Sequence, residues 1–422
     1  MPRSPWWWIP TLYYGQGLPY VVVMTLAVVL YKNLGLDNTA IALYTSWLYL
    51  PWVIKPLWSP LVDLLRTKRW WIVTLQLLVG AALAAVALTL PMAGFFQLSL
   101  AVFWLLAFAS ATHDIAADGF YLLALPQHQQ AAFVGVRSLF YRVAMISGQG
   151  GLVYLAGQLA DSLGSVVRAW QLVFFMLAGM FVLLGLWHRT LLPRPDVDRA
   201  AAAGQALWAG FAETFASFFR RRDILRVLAF LLLFRLGEAQ LVKLVTPFLL
   251  DPAARGGLGL TTAQVGIVYG TVGVAALTVG GLAGGWVISR HGLARWLWPM
   301  VAAIHLPNLL FVALAAWQPQ NLLFITAAVA CEQLGYGFGF AAYLMYMILV
   351  ADGPSKTAHY ALCTGFMALG MMLPGMVSGW LQQRLGYPTF FAWGCLCTLP
   401  SVVVAGFLRI PPDFGKKQDE PA

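Results

Sequence analysis

Stretches of predominantly apolar residues, each about 20 or more long and so able to cross about 30 Å of hydrocarbon as an α-helix, recur from one end of this sequence to the other. Inside hydrocarbon every backbone N–H and C=O must find its partner within the protein, so a spanning chain is restricted to helices or a closed barrel, and runs of this length choose helices. Composition agrees: 60% of the residues are hydrophobic, 10% are charged and the mean hydropathy is +0.76. Twelve spans are expected, near 9–31, 40–62, 70–91, 97–124, 132–158, 168–191, 225–250, 262–289, 294–316, 321–349, 357–383 and 388–409. The fold class is therefore an all-α membrane protein with twelve transmembrane helices in two six-helix bundles. The divisions are 1–191, a cytoplasmic linker with an amphipathic helix over 192–224, and 225–422 with a short tail.

A formal charge of +10 raises the question of nucleic acid, and the placement of the charge answers it. With the first terminus inside, 17 of the 26 Lys and Arg residues fall in cytoplasmic segments and only Lys32, Arg168, Arg255 and Arg384 fall on the other side. That asymmetry is the positive-inside pattern, which places both termini in the cytoplasm and leaves no nucleic-acid partner to invoke. The first apolar stretch runs directly into a full span, so no cleavable leader is expected. Cys331, Cys363, Cys395 and Cys397 lie within late spans without metal-ligand spacing and read as small apolar side chains. No metal, cofactor or enzymatic constellation is expected: HExxH is absent, and His113-Asp114 has no serine or cysteine partner in the sequence.

Charges inside apolar spans cost a few kcal/mol or more and persist where they meet a partner or a water-filled cavity. Asp114 and Asp118 are four apart in the fourth span and share a helix face. In an antiparallel hairpin with the fifth span, residues at equal depth have numbers with a constant sum. Asp118 with Arg137 and Asp114 with Arg142 satisfy one register, one turn apart. Such pairs either lock the hairpin or form a proton-linked gate, and His113 adds a group that titrates near neutral pH. In the other half Arg235 and Glu238 are three apart in the seventh span, and helix rise brings Arg235 to the depth of Glu332 in the tenth. An Arg235–Glu332 pair follows as an expectation, with Lys243 reaching outward to the interface.

Trp208, Phe211, Phe215, Phe218 and Phe219 recur in the linker at helical steps beside Arg220-Arg221-Arg222. That apolar face lies either on the inner leaflet or against the cytoplasmic ends of the bundle. Two cationic turns, 63–70 and 289–296, each end in Arg-Trp at matching places in the two halves. The six-plus-six count, the central linker and the repeated turn resemble the major facilitator superfamily. That resemblance implies two bundles rocking about a midplane site, lined by spans one, four, seven and ten. By the same resemblance the lining comprises Tyr13, Tyr14, Gln16, Asp114, Arg235, Glu238, Glu332, Gln333 and Tyr336. Gly15-Gln16-Gly17-Leu18-Pro19, the prolines at 51, 56 and 60 in span two, and the alternating glycines from Gly335 to Gly339 mark places of bending or close approach.

Gln16-Gly17-Leu18-Pro19, the run from Trp47 through Pro60 to Asp63, His113-Asp114-Ile115-Ala116-Ala117-Asp118 and Tyr360-Ala361-Leu362 resemble the AmpG-like permeases of that superfamily. The resemblance covers most of the chain and places Lys55, Asp63, Asp114 and Asp118 at the characteristic polar positions of that branch. His113 and His359 stand where glutamine is frequent in it, and the chain is shorter than AmpG. What it implies is a proton-driven importer of cell-wall-derived amino sugars or muropeptides, a multi-pass protein of the bacterial inner membrane. Its partners would be a small polar solute, protons and the bilayer. The alternatives are a siderophore permease of the same branch and a non-transporting membrane sensor.

Overall fold

The computed structural model describes residues 4–196, 198–199, 212–213, 215–351 and 356–416, and within these the backbone alone at 63, 64, 127, 128, 131, 132, 134, 356 and 357. Helices occupy all twelve expected stretches with ends moved by a few residues, and no strand occurs among the described residues. Eight helical stretches are long and apolar enough to cross a membrane, one of them, Ala358–Gly406, holding both the eleventh and twelfth spans. Spans two, five and seven fall outside that set, and spans two and seven are each divided by a break.

The irregularities have local causes. Pro19 removes a backbone donor in span one, and the turn that follows, Val22–Leu26, widens to π-helix. Span two stops at Trp47 and resumes at Leu50, with Pro51 in the first turn where its missing N–H costs nothing. Span seven breaks between Ile224–Leu233 and Leu236–Leu250. The carbonyls freed there are satisfied from other spans. Ser401 Oγ donates to Leu233 O at 3.0 Å and Phe234 O at 2.6 Å, and Tyr343 OH donates to Leu231 O at 2.7 Å. A helical break at membrane depth is tolerated because tertiary neighbours complete it.

The chain divides into two compact units, Met1–Leu36 with Leu48–Ala212, and Asp37–Trp47 with Glu213–Ala422. The first half of span two thus clusters with the second unit, an assignment that hydropathy alone does not foresee. In the first unit, spans one and five cross at glycines: a Cβ on Gly148 would lie 2.5 Å from Val21 Cγ1, and one on Gly17 3.1 Å from Tyr141 O. In the second, span ten is held between spans eight and nine. A Cβ on Gly337 would lie 2.0 Å from Leu277 O, and one on Gly335 2.2 Å from Ala303 O. Span ten nevertheless runs unbroken as Leu322–Ala351, so its alternating glycines serve close approach and not bending.

The repeated cationic turns carry equivalent braces. Asp198, just after span six, accepts from the Lys68 and Arg69 amides at 2.7 and 3.1 Å and so caps span three. Phe414 O, just after span twelve, accepts from the Leu293 amide at 2.9 Å at the start of span nine. In each half, the segment leaving the sixth span ties down the third. The described part of the linker helix packs inward: Phe218 is fully buried, beside His359 and Phe366 at centroid distances of 5.5 and 6.3 Å. Trp208 and Phe211 lie outside the described residues.

Candidate functional site

In the first unit the two aspartates of span four are served by different helices. Asp118 accepts from Arg137 at 3.0 Å, the pair expected from the hairpin register, and from Tyr13 OH at 3.2 Å. The Arg137 guanidinium lies between two rings, 4.6 Å from the Tyr13 centroid and 5.1 Å from that of Tyr121, so its charge is met by a carboxylate at the edge and π-faces on the sides. Asp114, matched with Arg142 by the register, takes the Lys55 ammonium from span two and the Gln16 amide from span one. Neither partner could be found from the four–five hairpin alone. Arg142 is half-buried in span five, and Tyr14 is half-buried and takes no part in these contacts.

His113 joins neither carboxylate. Its ring meets the Gln76 amide nitrogen at 3.1 Å, while the Gln76 oxygen accepts from His188 Nδ1 at 2.8 Å and His188 Nε2 meets Thr11 Oγ1 at 3.0 Å. An amide nitrogen only donates and an amide oxygen only accepts, so this chain sets the tautomer of both rings. It ties spans one, three, four and six together. Gln76, a lone amide in an otherwise apolar run, was the available sequence signal for it.

In the second unit the expected Arg235–Glu332 pair is not formed. Arg235 sits at the break in span seven and makes a bidentate pair with Glu238, Nε to Oε2 at 3.1 Å and Nη2 to Oε1 at 2.7 Å, and donates to Tyr336 OH at 2.6 Å. The break places the arginine one turn ahead of its carboxylate, and a partner three residues away needs no second helix. Glu332 is buried and accepts from the amide of its neighbour Gln333 at 2.9 Å. Lys243 does not reach the interface: it is buried and donates to Thr45 Oγ1 at 3.0 Å, within the second unit. A further network escaped sequence reasoning. Asp251 accepts from Tyr387 OH at 2.6 Å and from Asn38 at 3.3 Å, and Asn38 also donates to Gln382 at 2.8 Å.

Other expected positions lie apart from these clusters. His359 Nε2 meets Ser217 Oγ at 3.0 Å beside the linker helix, and the side chain of Asp63 is outside the described residues. All four cysteines are free, and no group of metal-ligating side chains occurs among the described residues.

Paired charges within the spans of two helical units narrow the family, and comparison decides it: the model of the Major Facilitator Superfamily matches residues 13–361. The chain belongs to the major facilitator superfamily. Within the superfamily the likeness is to AmpG-type permeases, as the sequence suggested. The Anhydromuropeptide permease of Escherichia coli (strain K12) is 27% identical over 379 residues, covering 87% of this chain and 72% of that one. Putative transporter AmpG 4 of Rickettsia conorii is 26% identical over 408 residues, covering 93% and 94%. Among solved structures, the nucleoside transporter NupG superposes with a TM-score of 0.66 at 18% identity, covering 94% of this chain and 96% of that one. A bacterial homologue of the human lysosomal transporter Spinster gives 0.62 at 16% identity, covering 94% and 93%. These superpositions establish the fold, and the family match with the apolar helices makes the chain a multi-pass membrane protein.

Proposed function

We propose that this major facilitator protein is a proton-coupled secondary transporter that imports cell-wall-derived amino sugars or muropeptides across the bacterial inner membrane, with both termini cytoplasmic. The observation that carries the reading is a cluster of paired charges within the spans of each unit, in a chain whose relatives include an anhydromuropeptide permease. The chemistry of the clusters suits a polar solute. Gln16 donates to Asp114 through its nitrogen while its Oε1 is buried without a hydrogen-bond partner, an acceptor open to a sugar hydroxyl or peptide N–H. Tyr13, Gln333 and Tyr336 add hydroxyl, amide and aromatic surface. The two charge clusters differ in seal. Asp118 and Arg137 are 44% and 28% exposed at the side chain, whereas Glu238 and Arg235 are 2% and 8% exposed. A wet pair exchanges partners cheaply, so Asp114 and Asp118 with Lys55, Arg137 and Arg142 are assigned to gating, and the sealed pair to holding the broken span seven.

The test is uptake into proteoliposomes under an imposed proton gradient, comparing labelled anhydromuropeptide, free N-acetylglucosamine and a ferric siderophore, with Asp114→Asn in parallel. Expected is gradient-driven uptake of the wall-derived solutes alone, reduced about tenfold or more in Asp114→Asn, the effect of ~1.4 kcal/mol lost from one charge-assisted contact. Uptake of the siderophore alone replaces the substrate assignment, and uptake indifferent to the gradient removes the proton.

A further inference from the structure

Among the described residues, the carboxylates at membrane depth or buried within a unit fall into two kinds. Asp114 is met by Lys55, Asp118 by Arg137 and Glu238 by Arg235, while Asp251 accepts from two donor side chains on other helices. Glu332 is 5% exposed, lies within a long apolar span and has the amide of the next residue as its hydrogen-bond partner, with no basic side chain paired to it among the described residues. A bare carboxylate in such a place is costly, and the cost is met by a cation. We propose that Glu332 is the residue that takes up and releases the coupling proton, a role that deepens the transporter reading above and rests on it.

The surrounding geometry supports a proton as that cation and supplies the link to conformation. Gln333 donates to Oε2, a bond that both the acid and the carboxylate can accept, so the amide holds the side chain in place in either state and leaves Oε1 for the proton. On uptake an O–H bond forms at Oε1 with a proton from water, and on release that bond breaks and the proton returns to water on the other side. Of the groups on elements packed against span ten, Tyr269 of span eight and Glu238 of span seven lie within electrostatic reach. His305 of span nine lies against Phe234, and Cys363 of span eleven lies near Tyr343. Tyr336, one helical turn along from Glu332, accepts from Arg235, and Arg235 stands at the break in span seven. With the proton gone, Glu332 competes with Glu238 for that guanidinium. Arg235 then moves past Tyr336 by about one turn and carries the broken helix with it. The Arg235–Glu332 pair absent from this structure is the deprotonated arrangement.

Glu332→Gln, a neutral isostere of the acid, separates coupling from binding. Expected is that purified Glu332→Gln in proteoliposomes still exchanges labelled anhydromuropeptide, at a rate that no longer varies with pH, but does not accumulate it against a concentration difference under a proton gradient. Retained accumulation overturns the proposal, and so does loss of exchange together with accumulation, which marks Glu332 as a solute contact. A second readout uses no solute. pH-difference infrared spectra of the wild type are expected to carry the C=O stretch of a carboxyl taking up a proton, missing in Glu332→Gln; the same band in the variant overturns the proposal. If Glu332→Gln yields no folded protein, Glu332→Asp is expected to shift that band, and an unshifted band overturns the assignment. Should wild-type protein exchange no anhydromuropeptide at all, the solute reading fails while the infrared result still decides the proton site.

Discussion

Replacing Glu238 with glutamine removes one charge from a deeply sealed ion pair and changes almost no volume. Arg235 and Glu238 are 8% and 2% exposed at the side chain and share two hydrogen bonds, of 3.1 and 2.7 Å. Truncating one partner of a buried pair costs about 3–5 kcal/mol, because the remaining charge stays desolvated. In Glu238→Gln the low end applies. Tyr336 OH still accepts from the guanidinium at 2.6 Å, and the Phe340 ring lies 4.8 Å beneath it, together worth about 1–3 kcal/mol. A loss of about 3 kcal/mol corresponds to roughly 6–12 °C in Tm for a unit of 150–250 residues. The assay is thermal unfolding of purified protein in one detergent for wild type, Glu238→Gln, Arg235→Met and the double variant. The double variant buries no charge at this site and is expected to be more stable than either single one, giving a coupling energy of about 2–3 kcal/mol. Single and double effects that add within about 0.5 kcal/mol would refute the reasoning, since they would mean the two groups do not depend on each other.

Other outcomes follow from the same contacts. Gly337→Leu sets a side chain against Leu277 O, where even a Cβ would lie 2.0 Å away, and is expected to abolish recovery of monodisperse protein. Gly285→Ala, with nothing within 4 Å of its Cβ, is expected to behave as wild type or slightly better by size-exclusion yield. Arg137→Lys keeps the charge but loses the planar group held 4.6 and 5.1 Å from two tyrosine rings; a cost of about 1 kcal/mol and a several-fold fall in uptake are expected, and unchanged transport would remove the stacked geometry from the gate. Asp198→Ala uncaps span three at a cost of about 1 kcal/mol, read as faster hydrogen exchange at the Lys68 and Arg69 amides with the span nine amides unaffected.

How much of this was legible from sequence depended on how local each interaction is. The twelve helical stretches followed from hydropathy, because in lipid each helix must satisfy its own backbone before it meets a neighbour. The Asp118–Arg137 pair was legible for a related reason: two spans joined by a short turn have one antiparallel register, and the register alone brings those positions to equal depth. Partners across the bundle have no such rule. Lys55 reaching Asp114, Gln76 joining His113 to His188, and Asn38 meeting Asp251 and Tyr387 each depend on the rotation of one helix against another, which helix–helix packing sets and composition does not encode.

The same distinction explains the corrections. Arg235 and Glu332 share a depth, but the backbone break that turns Arg235 onto its own Glu238 is stabilised by Ser401 and Tyr343 from distant spans, so only the assembled unit could decide between the two carboxylates. Lys243 was drawn toward water by its length, yet the first half of span two supplies Thr45 as a buried partner. The glycines of span ten were ambiguous between bending and close approach until Leu277 O and Ala303 O were seen against them. By itself, then, the sequence determined the solvent, the number of spans and the pairs that a single hairpin can make, all consequences of one helix at a time. Which polar groups meet across helices, and which buried carboxylate among the described residues is left without a cation, was decided by tertiary packing alone, because azimuth and close approach are properties of pairs of helices.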